Sequence, residues 1–138
     1  MSGSSNNPHT RAIAQFVSQI NYDSIPNEVI QRIKLLILDS LGCALYGSAL
    51  EWSRILRATL AGVDSTKACC VWGTNELLSA PHAALINGTL IQSFELDDVH
   101  RQGVLHVGAV TLPPLLAITE IRPGLSGRAF QRSAPAAC

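Results

Sequence analysis

Apolar residues recur along this chain with the period of helices rather than strands. Ile13, Phe16, Val17 and Ile20 mark a first helix over residues 10–20, with Thr10 as its N-cap. Residues 21–24 connect it to the most strongly patterned element. Over residues 26–46, Val29, Ile33, Ile37, Leu41 and Leu45 form one stripe, widened by Ile30, Leu38 and Ala44. Pro26 suits a first helical turn, with Ser24 as its cap. Beyond Leu35 the polar face thins to Asp39 and Ser40, which predicts burial on all sides. Gly42 predicts a close helix approach and Gly47 a C-terminal stop.

A third amphipathic helix covers residues 50–60, with Trp52, Ile55, Leu56 and Leu60 apolar. Residues 67–72 are short and partly β-branched, and predict one extended segment. Ser79-Ala80-Pro81 opens a fourth helix running towards Phe94, whose Ala83, Ala84 and Gly88 suit tight packing. A loop follows at residues 101–104. Residues 108–121 predict a fifth helix, with Pro113-Pro114 in its first turn. Residues 1–9 predict a disordered tail without signal-peptide character, and residues 122–138 an irregular, turn-rich tail. The fold class is therefore all-α, about five helices, with its ordered domain over residues 10–121.

Composition changes this picture in one respect. Of 138 residues, 47% are hydrophobic and only 14% charged, against a usual charged share of about 25%. Such a chain buries its surface against a partner copy, a missing remainder or a membrane. The apolar run at residues 35–38 is broken at Asp39, and no window approaches the ~18 residues a span needs. A net charge of +0 with no basic patch argues against nucleic acid. Cys43, Cys69, Cys70 and Cys138 lack zinc-site spacing and predict reduced, mostly buried thiols, hence an intracellular protein, cytoplasmic or else mitochondrial. Asn87-Gly88-Thr89 matches a glycosylation sequon, but its apolar setting predicts burial.

Charge concentrates in one place. Glu95, Asp97, Asp98, His100 and His106 lie within twelve residues, between apolar flanks. On a helix continuing to about Asp98, Glu95 and Asp98 share one face, with Asn87 and Ile91 before them. Crowded carboxylates raise one another's pKa and a histidine titrates near neutrality, so the cluster offers an acid and a base. The same groups suit a divalent metal, with two imidazoles and a carboxylate as ligands. A solvated loop at a helix end accounts for them equally well. Asp39 predicts a hydrogen-bonded structural acid, His82 a helix-start residue, and Trp52 and Trp72 core or interface anchors.

Glu95-Leu96-Asp97-Asp98, then His106, then the helix start at residues 110–118, resembles the signature stretch of the MmgE/PrpD family. Arg32-Ile33-Lys34, Leu38-Asp39-Ser40-Leu41-Gly42-Cys43, Val71-Trp72-Gly73, His82-Ala83-Ala84 and Asn87-Gly88 agree in order and spacing. Glu-Leu-Asp-Asp-x-His with a later His is most similar to the fungal cis-aconitate decarboxylase branch. The family also includes 2-methylcitrate and alkylcitrate dehydratases. The resemblance spans about residues 11–120 and implies the N-terminal part of a large helical domain. That domain carries a smaller α+β lid and forms homodimers, with the active site between the domains. It further implies a lyase acting on small tricarboxylates by acid–base catalysis, with no metal or organic cofactor. By position, Glu95 and His106 match an acid and a histidine of the family site, with Asp98 and His100 beside them. Family members are much longer and bring a second histidine, a lysine and a lid tyrosine from later positions. The pattern departs after Phe130, which predicts a truncated or frame-altered member, or one part of a split protein. Such a chain is active in its own right, or is a non-catalytic homologue bound to a full-length partner. A helical metal-binding module stands as the third reading.

Overall fold

The computed structural model describes residues 7–133, which form six α-helices and one two-stranded sheet. Helices α1 (Pro8–Gln19), α2 (Asn27–Gly47) and α3 (Glu51–Ala61) come first, with a 3-10 turn at Tyr22–Ser24. Strands β1 (Cys69–Cys70) and β2 (Leu77–Leu78) pair antiparallel, Cys69 opposite Leu78. Helices α4 (Ala80–Gln92), α5 (Val107–Ile121) and α6 (Gly127–Ser133) complete the chain. Among the described residues no single helix is long and apolar enough to cross a membrane. Cys138 lies outside the described residues, as does most of the predicted N-terminal tail.

α4 is the centre of the fold, packed between α2 and α5. Ile86, Leu90 and Ile91 are fully buried, each contributing about 1.5–3 kcal/mol of apolar burial. Cys43 and Ala44 from α2, Val71 and Leu78 from the hairpin, and Ala109 from α5 close around them. Two glycines permit the close approach. A Cβ on Gly47 would overlap the Leu90 carbonyl, and one on Gly88 would lie 2.6 Å from the Ala109 oxygen. Gly42, the predicted contact, has open space around it.

Pro113 and Pro114 lie inside α5 rather than in its first turn. Pro113 has no N–H to give the Ala109 carbonyl four residues back. That carbonyl faces Gly88, where the missing side chain lets α4 approach. Asn87, buried, ties α4 to the hairpin: its Oδ1 accepts from Trp72 N–H and its Nδ2 donates to the Cys70 carbonyl, both at 3.0 Å. Burial therefore accounts for this sequon residue as a structural amide. Gly73, with φ of 73°, turns β1 into β2.

Other expectations shift in detail. Asn7, not Thr10, caps α1, accepting from His9 and Thr10 N–H. The Ser24 hydroxyl donates to Asn21 O and caps no helix. The second half of α2 is not buried on all sides: Leu35, Leu38, Leu45 and Tyr46 are exposed. β2 pairs with the predicted extended segment, and part of the tail forms α6, whose Arg128 stacks over Tyr22 and meets Asp23. Asp39 is exposed on α2, and of the described cysteines Cys43 and Cys69 are buried while Cys70 is exposed. Trp52 is exposed on α3, whereas Trp72 packs half-buried against the core. His82 does sit at a helix start, its Nδ1 2.7 Å from Asp64.

Candidate active site

The charged cluster is built by the way α4 ends. The helix stops at Gln92, and Glu95 takes a left-handed φ of 58°. Side chains other than glycine rarely adopt that conformation. The turn removes Glu95 and Asp98 from the helical face predicted for them, and each of the next residues goes its own way.

Asp98 turns to α5. Both its oxygens accept from Gly108 N–H, at 3.1 and 3.3 Å. A carboxylate here satisfies a free amide of the first turn and opposes the positive end of the helix dipole. Gly108 leaves the room: a Cβ there would overlap Asp98 and lie 2.7 Å from the Ser40 hydroxyl. His100 closes the loop that follows. Its backbone pairs with Leu105, and its exposed Nδ1 accepts from Gly103 N–H at 2.9 Å. That closure delivers His106 to the N-cap position of α5.

His106 is where the cluster converges. Its Nδ1 lies 3.1 Å from Asp97 Oδ2 and its Nε2 lies 3.5 Å from Glu95 Oε2. The two carboxylates differ sharply: the Asp97 side chain is 0% exposed and that of Glu95 71%. Gln92 Nε2 donates to Glu95 Oε1 at 2.6 Å and steadies it. Burial pushes the Asp97 carboxyl above the usual carboxylate range, with His106 opposing the rise. The imidazole forms one end of an open groove of about 580 Å³ between α4 and α5. Its walls are Leu85 and Gly88 on one side and Val110 and Pro114 on the other.

The structure thus brings Glu95 and His106 together and sends Asp98 and His100 to backbone amides. Asp97 joins the pair, although spacing did not single it out. Gln92 was missed as well; its position three residues before Glu95 was the available signal. Among the described residues no three His, Cys, Asp or Glu side chains converge as a metal ligand set. Cys43, buried nearby, is held as a thiol by burial and by Asp39, Asp97 and Asp98. What remains is a histidine with one ring nitrogen on a buried carboxylate and the other towards solvent, an arrangement suited to moving a proton.

The chain is 35% identical over 113 residues to the cis-aconitate decarboxylase-like protein oryM of Aspergillus oryzae, covering 82% of this chain and 23% of that protein. It is 36% identical to the cis-aconitate decarboxylase of Aspergillus terreus, over 81% of this chain and 23% of the relative. With the cis-aconitate decarboxylase of Homo sapiens it shares 32% identity over 83% of this chain and 24% of the relative. The chain therefore spans about a quarter of the length of these relatives. The family model of the MmgE/PrpD N-terminal domain matches residues 11–137, running through α6 and beyond the stretch that the motifs marked. On that match, this largely helical chain belongs to the MmgE/PrpD family.

Proposed function

We propose that this chain carries the His106 half of a lyase site for small tricarboxylates, with cis-aconitate decarboxylation as the favoured reaction. The single observation that carries this reading is His106 held between buried Asp97 and exposed Glu95 at the end of a groove. The relatives' names supply the reaction. In a decarboxylation the bond to the departing carboxylate breaks, its electron pair stays on carbon, and carbon dioxide leaves. Protonated His106 then gives its Nε2 proton to that carbon. Glu95 Oε2 lies 3.5 Å from Nε2, on the side from which that proton leaves. Asp98 and His100, proposed with them on position, act by setting the α5 start and the loop that aim the ring. The alternative in the same class is dehydration of an alkylated citrate. There a base removes the proton α to a carboxylate and an acid protonates the departing hydroxyl.

A triply charged substrate needs cations, and Arg101, exposed in the loop, is the one permanently charged cation within the cluster. We assign the remaining charge to a partner, a second copy or a full-length homologue. Exposed Leu35, Leu38, Leu45 and Tyr46 along α2 support such an association. Sedimentation as an unassociated monomer, alone and with a full-length relative, overturns it. The free thiols of Cys43, Cys69 and Cys70 support a cytoplasmic setting.

The test incubates the purified chain, alone and together with a full-length relative inactivated at its own matching histidine, with cis-aconitate and separately with an alkylated citrate, following carbon dioxide release and loss of water. Carbon dioxide release that His106→Ala lowers by roughly 10²–10⁴-fold, at unchanged helix content, supports the decarboxylase reading. Turnover of neither substrate, or full turnover by the variant, refutes it.

A further inference from the structure

Three polar atoms of the site, Asp97 Oδ1, Asp97 Oδ2 and His106 Nδ1, are buried without a hydrogen-bond partner. Two of them, Oδ2 and Nδ1, stand 3.1 Å apart, within hydrogen-bond distance but misaligned. Leaving buried polar groups unpaired is unfavourable. At that separation only the angle is wanting, and hydrogen bonds of catalytic groups often tighten when a substrate binds.

We infer that Asp97 is the positioning residue of the site, holding His106 with its proton on Nδ1 and its lone pair on Nε2. The choice of tautomer follows from what each nitrogen faces. An ionised carboxylate only accepts hydrogen bonds, so the nitrogen against Asp97 must carry the hydrogen. The other nitrogen is then free to take a proton on the side of exposed Glu95. When it does, the new positive charge sits against a buried anion, which low polarity makes effective. Asp97 touches no substrate position itself, because its side chain is sealed from solvent. Glu95 cannot substitute, being 71% exposed and on the opposite nitrogen.

The catalytic meaning of this assignment rests on the proton-transfer role proposed for His106; the tautomer itself does not. The test is therefore spectroscopic. The full chain is labelled with ¹⁵N-histidine, and the His106 ring signals are identified by their loss in His106→Gln. At mildly alkaline pH, where free imidazole is neutral, the ring shifts report which nitrogen holds the hydrogen. The expected wild-type result is a predominant Nδ1–H form. Asp97→Asn removes the anion and offers an amide that also donates, so it shifts the ratio towards Nε2–H by at least about fivefold. A predominant Nε2–H form in the wild type overturns the inference without recourse to any variant. A folded Asp97→Asn chain with an unchanged ratio overturns it too. Failure of the turnover test refutes the functional reading but leaves these ring shifts, and what they say of Asp97, in place.

Discussion

Two glycines in one helix test the packing most directly. Gly42 and Gly47 both lie in α2, and replacing either with alanine adds a single methyl group. At Gly42 that methyl meets no atom within 4 Å. The substitution there should stabilise the chain by ~0.8–1 kcal/mol through helix propensity alone. At Gly47 the methyl runs into the oxygen, carbonyl carbon and Cα of Leu90. Those are backbone atoms of the fully buried turn of α4, so no side-chain rotation relieves the clash. α2 and α4 must separate, and the contacts of Cys43, Ala44, Leu90 and Ile91 loosen with them. Overpacking commonly costs 1–3 kcal/mol, and a backbone clash belongs at the upper end, ~3 kcal/mol or more.

The two variants should therefore differ by ~4 kcal/mol, a large share of the ~5–15 kcal/mol that holds a typical domain. Thermal unfolding followed by helical circular dichroism reads the difference. At ~3–5 °C per kcal/mol for a chain of this length, Gly47→Ala should lower Tm by ~10 °C while Gly42→Ala raises it slightly. Urea unfolding should give the same order of midpoints with similar slopes. Equal effects of the two substitutions, or a destabilising Gly42→Ala, would refute the placement of α4 against the end of α2.

The remaining predictions concern acid. Asp64 accepts from Ser79 N–H and hydroxyl, from Thr66 N–H and from His82, and the Ser79 bonds in particular hold its carboxyl well below the usual range. A lowered carboxyl contributes stability above the unfolded value near 4 that is lost as pH falls, so Asp64→Asn should flatten the acid limb of a Tm-against-pH curve; an unchanged limb would refute this. Asp97 has the opposite sign: raised by burial, its contribution is fully present below about pH 4 and lost as pH rises through the folded value. Asp97→Asn should then be more stable than the wild type at pH 7, with the gap closing in acid; a less stable variant at pH 7 would show that Asp97 holds the fold together.

How much of this was legible in the sequence depends on the range over which each signal acts. The helices declare themselves because an apolar stripe is local, and α2 to α5 begin within a residue or two of their predicted starts. β2 is two residues long and exists only through its pairing with β1, so no period announces it. The end of α4 was misplaced because apolar Phe94 and Leu96 continue the helical stripe. The left-handed turn that stops it falls on Glu95, not on a glycine or asparagine that would have marked it. Pro113-Pro114 suited a first turn by rule, but tolerance of the interior position comes from Gly88, some 25 residues earlier. That is a tertiary arrangement with no local trace.

The site shows the same division at the scale of neighbouring residues. Asp97 and Asp98 are chemically identical, and composition treats them as one acidic pair. A turn of the chain separates them: Asp98 accepts from an amide at the start of α5, while Asp97 enters the interior against His106. The first environment stabilises a fold. The second is unfavourable to a carboxylate, and the protein retains it where two ring nitrogens and a second carboxylate meet. Structural acids are bonded to amides, as Asp64 and Asp98 are; Asp97 has only an imidazole. An ionisable group kept where it costs stability and satisfies no backbone group is explained by what it does to its neighbour. On the proposed reading the candidate site centres on the line Asp97–His106–Glu95, with Asp98 and His100, which spacing nominated beside Glu95 and His106, as the frame that holds the line in place.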